Sequence, residues 1–164
     1  MQLTSTGNIT ENQEIALAKI REAAGNGARL IVLPEATSQN FRSGRLDEQA
    51  QSLEGPFATA IQALAEELEV TVVAGMFCPA DTVERDGKTI NRVSNTALIA
   101  GPGVLGGYDK IHTYDAFDYR ESDTVLAGES LVAFDVDDLI ALSAALEVSP
   151  AVVLMPHVTP DDTD

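Results

Sequence analysis

Four consecutive apolar residues, Leu30-Ile31-Val32-Leu33, end abruptly at Pro34. A short apolar run bounded in this way is the pattern of a strand buried on both faces, and proline closes it because it has no N–H for the ladder. Glu35 is thereby placed at the carboxyl end of that strand. The preceding segment is helical: Thr10 with Gln13 makes a capping box, Leu17, Ile20 and Ala24 recur at helical spacing, and Gly25-Asn26-Gly27 stops the repeat. Gly55-Pro56 opens a second helix carrying Ile61, Leu64, Ala65 and Leu68 on one face, and Val70 to Met76 returns to a strand pattern. Such a β-α-β rhythm assigns the chain to the α/β class.

The strand pattern continues. Asp86-Gly87 marks a hairpin-like turn, Asn95 to Ala100 reads as a strand, and Gly101-Pro102-Gly103 turns the chain into Leu105 to Tyr108. Lys110 then lies just past a strand end. Further on, Leu131 to Asp135 is expected as a strand, Leu139 to Glu147 as a short helix, Val152 to Met155 as a strand stopped by Pro156, and Thr159 to Asp164 as a disordered acidic tail. No repeat, low-complexity linker or domain boundary interrupts residues 1–164, so a single domain is expected.

Charge and composition exclude several functions. Ten Lys and Arg against 26 Asp and Glu leave a net charge of −16 with no basic patch, which disfavours nucleic acid and anionic lipid as partners. The first residues lack the basic and apolar regions of a signal peptide, and no apolar run approaches the ~20 residues of a membrane span. A cytoplasmic location is the expectation. The single cysteine, Cys78, cannot form an intramolecular disulfide and fits a reducing compartment. His112, His157, Asp161 and Asp162 have no paired ligand spacing, so no metal is expected, and no cofactor motif is present. The Gly101-Pro102-Gly103 and Gly106-Gly107 pairs lack the Lys-Ser/Thr of a phosphate loop and read as turns.

Several of these segments, taken in order, carry a resemblance. Leu33-Pro34-Glu35 after a strand, Asn95-Thr96-Ala97-Leu98-Ile99, Gly107-Tyr108-Asp109-Lys110-Ile111-His112, and Tyr119-Arg120-Glu121-Ser122 with Gly128 resemble the nitrilase superfamily of carbon-nitrogen hydrolases. The similarity runs from the first helix to about Asp138. It implies an α-β-β-α sandwich and attack by a cysteine on a small nitrile, amide or carbamoyl substrate, among which the sequence does not choose. By resemblance, Glu35 matches the general base, Lys110 the cation beside the tetrahedral intermediate, and Glu121 a second glutamate supporting the site. These types suit the reaction, because an amide is a poor electrophile: a thiol must lose its proton to a base, and a cation must stabilise the oxyanion. Taken alone, Glu35 would be a polar residue after a strand, Lys110 a surface lysine paired with Asp109 or Asp115, and Glu121 one more acidic surface residue. Their shared company favours the site.

Three departures qualify the match. The family's apolar first strand is mostly absent before Leu3, and the chain stops at Asp164, where the family continues. Asp138 runs directly into Leu139 where the family places its nucleophile elbow, so an internal loss is expected at that junction. The expectation is a partial sandwich, incomplete at the N-terminus, after Asp138 and at the C-terminus, with no nucleophile. Cys78 precedes the lysine instead of following it and reads as a half-buried structural cysteine. Without the family's nucleophile cysteine the chain is expected to be inactive; a pseudoenzyme binding a small ligand or an intact paralogue, and a gene remnant, are the alternatives. Pairing into a homo-oligomer is left open, since the family's pairing segments are those affected.

Overall fold

The computed structural model describes residues 3–116 and 119–132. The chain divides into two compact units, Met1–Ser130 and Leu131–Asp164. In the second, Leu131 and Val132 are described: both are exposed and outside regular structure. The rest of the expected Leu131 to Asp135 strand, the Asp138-Leu139 junction, the 139–147 helix, the 152–155 strand and the acidic tail lie outside the described residues.

Helix α1 spans Ile9–Gly25. Its cap corrects the sequence reading. Asn8, not Thr10, is the N-cap, and its side-chain oxygen accepts from the N–H groups of Thr10 at 2.9 Å and Glu11 at 3.1 Å. Thr10 already lies inside the helix, where its N–H is one of the orphan donors that a cap must satisfy. Ala16, Ile20 and Ala23 form the buried stripe. Buried Asn12 ties the segment before the helix to a distant loop, donating to Thr6 O and Ser38 O, each at 2.9 Å.

Strand β1 (Leu30–Val32) pairs in parallel with β2 (Thr71–Arg85). It is not buried on both faces: Ile31 is 3% exposed, whereas Val32 is 55% exposed. An uninterrupted apolar run does not reveal which face a helix will cover, and here the helices cover only the Ile31 side. Helix α2 (Pro56–Leu68) buries Ile61, Leu64 and Ala65 as the spacing predicts. Gly55 offers no side chain to its N-terminus, and Gln51 Oε1 accepts from Phe57 N–H at 2.9 Å instead.

Strands β2 and β3 (Lys88–Gly101) form a long antiparallel hairpin turned at Asp86-Gly87, where both residues have positive φ, 51° and 71°. That pairing of left-handed residues is the turn whose twist matches the strands. Both strands outrun their apolar stretches, because the turn and the backbone ladder carry the exposed polar half of the hairpin past an irregularity between Pro79 and Thr82. Strand β4 (Val104–Asp109) pairs antiparallel with β3, and β7 (Val125–Leu126) adds to β3 in parallel. Strands β5 (Asp115–Ala116) and β6 (Tyr119–Arg120) form a separate small ladder leading into a 3-10 turn at Glu121–Asp123.

The main sheet runs β1-β2-β3-β4, with β7 beside β3. Alternation sorts its residues. Val72, Ala74, Met76, Leu98 and Ala100 face α1 and α2 in the main core, while Phe77, Val93 and Val125 join Leu46 in a smaller cluster on the other face.

Candidate active site

Glu35 is held by its backbone before its side chain is considered. Leu33 N–H continues the β1 ladder to Val73 O at 2.8 Å, and Gly75 N–H donates to Pro34 O at 3.1 Å. Gly75 O in turn accepts from Ser38 N–H at 3.1 Å, and the Thr37 hydroxyl donates to Pro34 O at 2.6 Å. The segment lies so close to β2 that a Cβ on Gly75 would stand 1.6 Å from Glu35 O. Only glycine permits that approach.

Lys110 stands where β3 changes partners. Thr96 is the last β3 residue paired with β4, and β7 takes over at Ser94 and Val93. In the gap, Lys110 N–H donates to Asn95 O at 2.8 Å, and Lys110 O accepts from Gly128 N–H at 2.9 Å. Gly128 again allows a close approach, since a Cβ there would fall 2.3 Å from Asp109 O. Glu121 opens the 3-10 turn and is 3% exposed. Its Oε2 accepts from Tyr114 N–H at 2.6 Å while its own N–H donates to Tyr114 O at 3.2 Å.

These three anchors converge on one ammonium. Lys110 Nζ lies 3.0 Å from Glu35 Oε1 and 3.3 and 3.1 Å from the two oxygens of Glu121. Asn95 Nδ2 donates to Glu35 Oε1 at 2.7 Å and lies 3.4 Å from Glu121 Oε1. The sequence reading grouped Glu35, Lys110 and Glu121, and the fold brings all three together; it assigned no role to Asn95. The available signal was a polar residue inside an apolar strand. Gly75 carried a signal of the same kind, a glycine within a strand pattern.

Charge follows from the geometry. Burial pushes the Glu35 carboxyl up, but hydrogen bonds from Lys110 and Asn95 and the lysine's charge outweigh it, so it titrates below the ordinary range. Burial pushes Lys110 down, and the bonds and charges of Glu35 and Glu121 outweigh that, leaving it above the ordinary lysine range. At neutral pH the site therefore holds an ionised glutamate against an ammonium. Glu35 is about half exposed, with its side chain at 53%, so the carboxylate remains accessible.

Cys78 is elsewhere. Phe77 and Asn95 pair in register, as do Cys78 and Ser94, so Cys78 points to the face opposite Asn95. It packs partly buried against the helix-covered core and lines a cavity of about 370 Å³ with Thr96, Gly107 and Asp109. Burial, with the charges of Asp109 and Glu54, pushes its thiol above the ordinary range despite a hydrogen bond with Thr96. Among the described residues no group of three or more His, Cys, Asp or Glu side chains is placed to hold a metal ion, and no helix is long and apolar enough to cross a membrane.

The carbon-nitrogen hydrolase family model matches residues 1–150. The chain belongs to the carbon-nitrogen hydrolase family. It is 40% identical over 141 residues to the hydrolase Rv0480c of Mycobacterium tuberculosis, covering 83% of this chain and 47% of that protein. It is 34% identical over 135 residues to a deaminated glutathione amidase of Synechocystis, covering 79% and 48%. With the human omega-amidase NIT2 it shares 27% over 142 residues, covering 82% and 49%. This carbon-nitrogen hydrolase chain thus spans about half the length of the curated relatives it matches. Among solved structures, a CN-hydrolase superfamily protein from Xanthomonas campestris superposes with a TM-score of 0.63 at 23% identity, covering 80% of this chain and 45% of the other. A nitrilase-superfamily amidase from Nesterenkonia superposes at 0.60 and 19% identity, covering 79% and 47%. These likenesses show the α/β fold of the superfamily.

Proposed function

We propose that this chain carries the base, the cation and the supporting carboxylate of an amidase-type centre for a small non-peptide amide or nitrile, and that it does not itself turn such compounds over. The observation that carries the reading is the lysine ammonium held between Glu35 at 3.0 Å and Glu121 at 3.1 Å. In this reading Glu35 accepts the proton of an attacking nucleophile, and Lys110 stabilises the oxyanion formed at the carbonyl carbon. Glu121, buried and bonded to Tyr114 N–H, keeps the lysine in register. Nucleophilic attack on an amide would form an acyl intermediate as ammonia leaves, and the same glutamate would then activate water.

The one cysteine of the sequence, Cys78, faces away from this centre and is held as a thiol. That favours binding without turnover: a small amide docks its carbonyl oxygen near Lys110 and stays intact. The experiment is a thermal-shift series with short amides, run beside an ammonia-release assay. Stabilisation by an amide that disappears in Lys110→Gln, with no ammonia above the protein-free control, supports the reading. Ammonia release that Cys78→Ser abolishes overturns it.

A further inference from the structure

One residue touches all three members of the site through two of its atoms. The main-chain oxygen of Asn95 accepts from Lys110 N–H at 2.8 Å, and its side-chain Nδ2 reaches Glu35 Oε1 at 2.7 Å and Glu121 Oε1 at 3.4 Å. Asn95 is 3% exposed and sits in the middle of the hairpin strand that also pairs with the segment bearing Gly75. The orientation of its amide is dictated by chemistry: ionised carboxylates only accept, so the NH2 and not the oxygen must face them.

The bonds are also unevenly distributed on Glu35. Asn95 and Lys110 both donate to Oε1, and among the described residues Oε2 accepts no hydrogen bond. We propose that Asn95 is a positioning residue of this centre, clamping Oε1 of Glu35 so that Oε2 is the oxygen presented as proton acceptor, while bracing Glu121 on the same lysine. Without the clamp, one ammonium would have to hold two carboxylates that repel each other, and the half-exposed Glu35 would be free to swing into solvent. The inference rests on Glu35, Lys110 and Glu121 forming one centre.

The test is a carbon-detected NMR titration of the Glu35 side-chain carboxyl in the whole chain, which needs no turnover. Asn95→Ser removes the donor, and Asn95→Asp keeps the shape while adding an acceptor and a negative charge; either variant that folds suffices. The Glu35 midpoint is expected to shift upward in Asn95→Ser and further upward in Asn95→Asp. Asp47, whose carboxyl is held low by Arg45 through bonds that do not involve Asn95, should keep its midpoint. An unchanged Glu35 midpoint overturns the proposal, as does an equal movement of Asp47, which would mark general loosening. Lys110→Gln separates the two layers. If it leaves the Glu35 midpoint unchanged, the three-residue centre itself falls; if it raises the midpoint and the Asn95 variants do not, only the clamp falls.

Discussion

A methyl group on Gly75 would lie 1.6 Å from the carbonyl oxygen of Glu35. The backbone of the proposed base is therefore seated against a glycine on the neighbouring strand, while its side chain is held by Lys110 and Asn95. Gly75→Ala must push the 34–38 segment off β2 or distort the sheet, because the obstructing atom is backbone and cannot rotate away. A loss of about 1–3 kcal/mol or more is expected in urea unfolding, together with a Glu35 titration that returns toward the ordinary carboxylate range. A variant as stable as the parent, with Glu35 unmoved, would show that the close approach is not needed.

Stability should depend on pH through the Glu35–Lys110 pair, and the signs are opposite for the two partners. Glu35 titrates lower in the fold than in the unfolded chain, so its contribution is present above the ordinary carboxylate range and disappears as pH falls through the folded value. Lys110 titrates higher, so its contribution is complete below the ordinary lysine range and disappears as pH rises through the folded value. Denaturation midpoints measured across pH should show a plateau between these limits. Glu35→Gln should flatten the acid limb; an acid limb of unchanged slope would exclude Glu35 as a contributor.

The two partners of the lysine should differ when it is removed. Glu121 is buried and Glu35 is half exposed, so Lys110→Gln leaves Glu121 with no cationic partner among the described residues. Removing one partner of a buried charge costs about 3–5 kcal/mol, whereas exposed pairs contribute about 1 kcal/mol or less. Lys110→Gln should thus destabilise much more than Glu35→Gln. Equal losses would mean that Glu121 draws its stabilisation from Tyr114 N–H and Asn95.

The smaller core beneath the site provides a packing prediction. Phe77 is 2% exposed, meets Phe41 edge to face with ring centroids 5.1 Å apart, and pairs with Asn95 on the neighbouring strand. Phe77→Ala should cost about 3–5 kcal/mol by urea unfolding. A loss below about 1 kcal/mol would show that this cluster contributes little to the fold.

How much of this was legible in the sequence depends on which physical signal each element carries. Helix α2 was readable because Pro56 starts it and its apolar spacing matches one face. The cap of α1 was misplaced by two residues, from Asn8 to Thr10, because Asn, Ser and Thr side chains compete for the same role and only backbone geometry decides. The exposure of Val32 was illegible, since a run of apolar residues does not say on which side the helices settle. Glu35, Lys110 and Glu121 were legible through their ordered motifs. Asn95 stood in one of those motifs without a role, because the bond it makes to Glu35, 60 positions away, arises only from the way the strands are brought together. The opposite facing of Cys78 likewise required the register of β2 on β3.

The most direct measurement is ammonia release from a panel of short amides by the purified chain, compared with Cys78→Ser and Glu35→Gln. The account predicts no release above the protein-free control for all three proteins. Turnover by the parent chain would contradict it. Loss of that turnover in Cys78→Ser would make Cys78 the nucleophile, and loss in Glu35→Gln alone would place a different nucleophile beside the Glu35–Lys110–Glu121 centre.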